Sequence, residues 1–557
     1  MSKRFHILIA LLLPIAAFGQ TLHNGIALPE EWPPRYPQPT VAQDMPLPYI
    51  DSKPAVIPIN TGRQLFVDDF LVAETTLQTV CHTPVFYPHN PVLDADKEWE
   101  KTTEGVTYAA PFSDGIWYDE KIGKFRMWYL AGAGSIHTYG NQTFYTCYAE
   151  STDGIHWTKP TLDIVPGTNI VDTSDRDAST VWLDRTEKDP GKRWKFFNIE
   201  KRKGDWCWRA ILKYSADGIH WSKGVAQSGD LGDRTTAFYN PFTQKWVLSM
   251  RGGTSVSGRS RYYAENSDPE ELVSTSHRTR SDYNDKHVVY WFTPSDKEKR
   301  NPKYPETDPG IYNFDAIAYE SIILGLYASW SGPENDICKR DGIQKHNVIC
   351  LGYSRDGFHF YRPTFEPFMD VNEKDDDAWN WGNMQSINGT PLIVNDSLYF
   401  YASGRHLDRV YWDGHTSTGL AKLRRDGFVS RHAGKEEGTL TTEPLTFDGK
   451  YLFVNVAVAS KKSSLRIELL DKDGNIIPGF VKKDCDTLKG IDSTKQPVSW
   501  KGQTDLSALS NQTIRIKFYL TNGDLYAFWV SPWESGESRG YTAGGGPGLH
   551  QSGIDKK

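Results

Sequence analysis

Five stretches of the chain share one plan, a strand, a turn carrying Asp, Asn or Glu, and a second strand: GIWYDEKIGKFRMWYLA, TVWLDRTEKDPGKRWKFFN, TAFYNPFTQKWVLSMR, AIAYESIILGLYASW and PLIVNDSLYFYASG. Counting back seven residues from the turn residues Asp184, Asn240, Glu320 and Asn395 reaches Asp177, Asp233, Asn313 and Asn388. In the first stretch the same step falls on Phe112, with Asp114 two residues on, and a register shift of two replaces Asn313 with Asp315. Carboxylates gathered at such strand starts could protonate a leaving oxygen, activate water or attack directly. Asp233 stands directly before a clean strand in GDLGDRTTAFYN and is the leading candidate; Asp315, in IYNFDAIAYE, is the second. Asp177 follows Asp172 and Asp175, so a solvated loop is the leading explanation for it. Glu320 has the register of a turn residue but stays a candidate as a carboxylate, and Glu104 has a weaker claim of the same kind. Arg251 could grip a carboxylate or sulfate, or make an ordinary surface ion pair. His287, Trp379 and Trp381 lie on connections that could rim a site, and strand alternation lets only one of the two tryptophans face it.

Such residues need a scaffold that brings strand starts together. The segment YAESTDGIHWTKP (Tyr148 to Pro160) recurs as LKYSADGIHWSKG (Leu212 to Gly224) and as LGYSRDGFHFYRP (Leu351 to Pro363). Its aspartates, Asp153, Asp217 and Asp356, are 64 and 139 residues apart, close to one unit and two, and a worn copy carries Ser267 and Asp268 in the long gap. Self-similarity at a fixed period marks a repeat architecture. In these turns Asp bonds its own backbone and Gly takes positive φ, so the three aspartates are expected to be structural. The reading is an all-β fold: a five-bladed β-propeller over 63–430, followed by an antiparallel β-sandwich over 431–531. Arg63 to Glu74 is free to close the ring on the last blade. Residues 20–62 are rich in Pro and read as an extended arm, while the Gly-rich 532–557 reads as a disordered tail.

With 19 Trp and 28 Tyr in 557 residues, the chain has flat faces to stack on a ligand such as a sugar, although sheet packing accounts for many of them. A net charge of -7 supplies no basic footprint for nucleic acid. Lys3 and Arg4, the apolar run Ile7 to Phe18 and the Ala17-Phe18-Gly19 site form a signal peptide over 1–19. That run is too short to span a bilayer, no later stretch spans one, and no Cys follows for a lipid anchor. The protein is therefore expected to be periplasmic or secreted. The six cysteines lack metal-ligand spacing; Cys338 and Cys350 could pair or stay free thiols. No metal or cofactor is expected.

The repeated SxDGxxW turns, NPVL (Asn90 to Leu93), DPGKRWK (Asp189 to Lys195) and the trailing sandwich resemble the five-bladed glycosidase propellers: glycoside hydrolase families 32 and 43 and unclassified bacterial relatives. The resemblance covers most of 63–531 and implies a glycoside hydrolase. The family 32 sucrose box (Trp-Met-Asn-Asp-Pro-Asn) and a Glu-Cys motif are absent, so fructan hydrolysis is not implied. The turns have one residue fewer between Asp and Gly than the sialidase Asp-box. Glycoside hydrolysis needs two carboxylates roughly 5–10 Å apart. The expectation is an exo-acting hydrolase of a plant, algal or host oligosaccharide, with Asp233 working beside Asp315 or Glu320 and Asp177 tuning them. Arg251, His287, Trp379, Trp381, Asn388 and Asp114 would bind substrate. The alternative is a non-catalytic carbohydrate-binding propeller lined by aromatics and amides. A phosphorylase would need a cluster of Arg, Lys and His, and the bases look scattered in sequence.

Overall fold

The computed structural model describes residues 18–134, 142–201, 207–277, 287–407 and 414–557. The expected signal segment lies almost wholly outside them. The described residues are nearly all β, and all five strand–turn–strand stretches form antiparallel pairs.

Each pair begins a sheet. The first sheet sets Ala109–Ala110 and Ile116–Asp119 against Lys124–Gly134; the second starts at Arg176–Leu183 and the third at Thr236–Asn240. The fourth starts at Gly310–Glu320, and the fifth sets Asn383–Ile387 and Leu392–Val394 against Ser397–His406. A single parallel pairing, Asn347 with Asn383, joins the fourth sheet to the fifth. The starting strands touch one another in cyclic order. Val181 N donates to Asp114 O at 2.5 Å, Ala237 N to Thr180 Oγ1 at 3.0 Å, and Thr236 Oγ1 to Phe314 O at 2.7 Å. A Cβ on Gly389 would lie 2.6 Å from the Asp315 Cβ, and Ile116 N donates to Asn388 Oδ1 at 3.1 Å.

The repeated turns tie neighbouring sheets together. In each, the Ser Oγ donates to Asp Oδ1, the Gly N–H donates to that Oγ, and the His Nδ1 meets Asp Oδ2 at 2.7 Å. The turn carbonyls then receive aromatic donors from the preceding sheet: Tyr401 Oη on Gly154, Trp128 Nε1 on Gly218 and Trp291 Nε1 on Phe358. Buried aromatics fill the spaces between sheets because their edges carry a donor that a turn carbonyl can satisfy.

Two further sheets share a second core that includes Phe66, Val454, Ile467, Phe518 and Phe528. Several expectations change here. Arg63 to Glu74 does not close the ring: Gln64–Leu65 pairs with Gly523–Ser531, and Val72–Thr75 pairs with Gly438–Thr442. Val85–Phe86 joins the outer strand of the fifth sheet instead. The arm also contributes, through Ile57–Pro58 on Leu445–Thr446, so the second unit draws strands from both sides of the ring.

Nor is 532–557 a disordered tail. Tyr541 and Thr542 pair with the end of Gly310–Glu320. Gly544 and Gly545 then bond to Tyr118, Pro391 and Ile393 of the first and fifth sheets. Glycine reads as disorder in sequence, yet at Gly544 and Gly546 a Cβ would strike the Pro391 and Ile393 backbone, so these residues permit close approach. Cys338 and Cys350 are both buried and are not joined by a disulfide.

Candidate active site

At the end of the ring opposite the tail, all five sheets depart from regular strand geometry at their starts. Phe112 and Ser113, between the two short strands of the first sheet, have φ of 45° and 73°, and Arg234, before the third, has φ of 58°. The second, fourth and fifth break register at Asp177, Tyr312 and Gln385. Bulges re-aim side chains, and non-glycine residues at positive φ persist only where their surroundings hold them, both recurrent at functional sites.

These breaks gather the acids. Asp315 is buried and accepts at Oδ2 from Asn313 Nδ2 at 2.6 Å and from Ser113 Oγ at 3.0 Å. Burial pushes its carboxyl up to about 7, against Ser113, Arg234, Asn313 and Arg261, which favour the charged form. Asp233 differs. Its side chain keeps 20% exposure and pairs with Arg251 Nη1 at 2.5 Å. Burial raises it, but Arg251, Arg259 and Arg234 outweigh that and hold it below the usual carboxylate range. Asp177 accepts from Arg234 N at 3.0 Å. Asp114 takes both Arg176 nitrogens, each at 2.5 Å; burial nonetheless pushes it up to about 7.

Bases join them that sequence reasoning missed. Arg234 stacks on Phe112 at 3.8 Å, and Arg259 lies 4.0 Å over the Tyr312 ring. Lys345 donates to Tyr312 Oη at 3.1 Å. Burial raises the Tyr312 pKa, but Lys345 and Arg259 outweigh it and bring the phenol below its usual value. Arg261 grips the Arg234 carbonyl at 2.8 Å while fully buried, and burial drops its own pKa to about 9. A run such as GDRTT before a strand was the available signal for Arg234, next in sequence to the leading acid.

Other expected site residues fall elsewhere. Glu320 lies five residues beyond Asp315 on the same strand, roughly 16 Å at about 3.3 Å per residue. There it is locked by Arg425 at 3.0 Å, Arg63 and the Ser538 hydroxyl at 2.6 Å, between the ring and the second unit. Asn388 is buried and spends its amide on Ile116 N and Thr390 O, setting the seam between fifth and first sheets. Trp379 packs over Gly404 and Gly419 of the fifth sheet and edge-on to Phe86. Trp381 donates to Asp376 at 3.1 Å. His287 is exposed beside Val289–Phe292, three strands out from the third sheet's start. Glu320, Asn388, Trp379 and Trp381 make these contacts rather than hydrogen bonds to Asp233, Asp315 or Asp177. No group of metal-binding side chains occurs among the described residues.

No family model and no curated protein matches this chain. Solved structures do. A glycosyl hydrolase from Bacteroides ovatus aligns over 66% of this chain and 99% of its own, at 14% identity and TM-score 0.41. A β-1,2-mannobiose phosphorylase from Listeria innocua aligns over 61% and 96%, at 13% identity and TM-score 0.39. A fructofuranosidase from Schwanniomyces occidentalis aligns over 81% and 98%, at 9% identity and TM-score 0.35. Likenesses this distant leave the activity to be argued from the site's own chemistry.

Proposed function

We propose that this chain is an exported, exo-acting glycoside hydrolase. In this reading the five cyclic sheets are the blades of a propeller, the two further sheets a buttressing sandwich, and the broken strand starts its active funnel. The observation that carries it is a pair of carboxylates driven apart by environment: Asp315 pushed up by burial, Asp233 held down by Arg251. Such a split assigns acid and base. Asp315 would protonate the glycosidic oxygen, and Asp233 would activate water or attack the anomeric carbon. Asp177 would help hold Arg234, the guanidinium that acts on both acids, and Asp114 would bind substrate. A non-catalytic binding propeller fits less well, because a funnel kept only for recognition gains nothing from a buried acid near neutral pH.

The test is a panel of aryl glycosides of differing sugar and anomer. Wild type should cleave at least one, and Asp233→Asn should lower kcat on it by about 10²–10⁴-fold or more while still folding, with a modestly lower Tm from the lost pair with Arg251. Full activity in Asp233→Asn would contradict the assignment.

A further inference from the structure

Arg234 is 1% exposed, and none of its three guanidinium nitrogens makes a hydrogen bond. The closest carboxylate oxygen, Asp177 Oδ1, stands 3.6 Å from Nη1. A buried guanidinium with every donor idle is a costly arrangement, rare without a partner to receive it. The chain also strains to make it, with Arg234 and its stacking partner Phe112 both at positive φ. Arg259, half-buried, also lies against Tyr312, and its buried Nη1 has no hydrogen bond. None of the neighbouring acids accepts a hydrogen bond from the Arg234 guanidinium. Asp114 is engaged by Arg176, Asp233 by Arg251, and Asp315 by Ser113 and Asn313. Solvent still reaches the place through Asp177 and Asp233, each 20% exposed.

We propose that Arg234 and Arg259, around Tyr312, form an oxyanion subsite beside Asp233 and Asp315, taking a carboxylate, sulfate or phosphate. Guanidinium forks match the paired oxygens of such groups. What carries the oxyanion rests on the glycosidase reading. It is either an acidic substituent on the sugar or free phosphate acting as co-substrate. In the second case a phosphate oxygen bonds to the anomeric carbon as the glycosidic bond breaks, and the leaving oxygen takes its proton from Asp315.

Calorimetry of the full chain with sodium sulfate, and separately with inorganic phosphate, at matched ionic strength in chloride tests the subsite without turnover. Saturable binding with Kd of about 1 mM or tighter is expected, at least tenfold weaker in Arg259→Gln and lost in Arg234→Gln. Arg259→Gln keeps the test decisive if Arg234→Gln fails to fold. No saturable binding of either ion to folded wild type, or binding unchanged in Arg259→Gln, overturns the proposal. Two arms separate the sources. A sugar substituent predicts faster cleavage of uronides than of neutral aryl glycosides in phosphate-free buffer, a preference Arg259→Gln loses. A co-substrate predicts phosphate-dependent release of a sugar 1-phosphate from a neutral glycoside. Anion binding without turnover of any glycoside would sink the hydrolase reading alone; turnover without anion binding would sink the subsite alone.

Discussion

Two buried clusters of charge lie along the same strand, Gly310–Glu320, one on its first half around Tyr312, Asn313 and Asp315 and one at its far end around Glu320, and they are built differently. At the Glu320 end, every carboxylate and guanidinium has at least one hydrogen-bonded partner, although Arg63 Nε and Arg425 Nε have none: Arg63 on Asp426 at 2.8 Å and Thr494 O at 2.7 Å, Arg425 on Glu320, Tyr319 on Asp426 at 2.6 Å. Around Asp315 the backbone is broken in every sheet, a guanidinium is left idle, and two carboxyls are pushed to about 7. A satisfied network fixes one arrangement of two units. An unsatisfied one stores the capacity to engage something else.

The largest expected effect comes from cutting the satisfied network. Arg63→Met leaves Glu320 and Asp426 short of a buried partner and should cost about 3–5 kcal/mol of stability, read as a lower Tm in a calorimetric scan. The specific activity of the folded fraction should be unchanged. A smaller and opposite signature is expected from Asp315. An acid whose folded pKa is raised loses stability as pH climbs from its unfolded value near 4 toward 7. Asp315→Asn should therefore hold or raise Tm at pH 8 while activity falls. The same protonation makes wild-type turnover decline above about pH 7, a limb a pH–rate profile would show. Gly389→Ala, by pressing a methyl against Asp315, should lower turnover with only a modest loss of Tm.

The acids of this second cluster were within reach of sequence. Counting back from turns in a repeated unit locates Asp177, Asp233 and Asn313 because strand length is conserved between sheets, and the noted shift of two finds Asp315. The count fails where the strand does not keep its period. Tyr312 and Gln385 sit on bulges and Arg234 at positive φ, and no alternation rule assigns a face to such residues. Glu320 misled for the converse reason: it is regular in register but lies at the wrong end of its strand. Trp379 looked like a sugar platform, and only Gly404 and Gly419, distant in sequence, show that the ring is packed. The closing strand at Val85–Phe86 is two residues long, too short to carry a pattern of its own.

The smallest effects belong to the repeated turns. Asp153→Ala or Asp217→Ala should cost about 1 kcal/mol each with no change in activity per folded molecule. Although burial opposes it, bonds from the turn backbone and histidine hold both carboxyls down, Asp217 to about 2. Their contribution is present above the unfolded value near 4 and is lost as pH falls toward 2. Thermal scans between pH 4 and pH 2 should accordingly fall less steeply in the double variant than in wild type.

The contrast between the two clusters along Gly310–Glu320 is tested most directly by assaying Asp315→Asn and Glu320→Gln side by side, kcat and Tm together, on an aryl glycoside that wild type cleaves. Asp315→Asn should lose about 10²-fold or more in kcat at retained Tm, and Glu320→Gln should lose Tm while its folded fraction keeps wild-type kcat. The reverse pattern, an active Asp315→Asn beside a stable but inactive Glu320→Gln, would contradict the account.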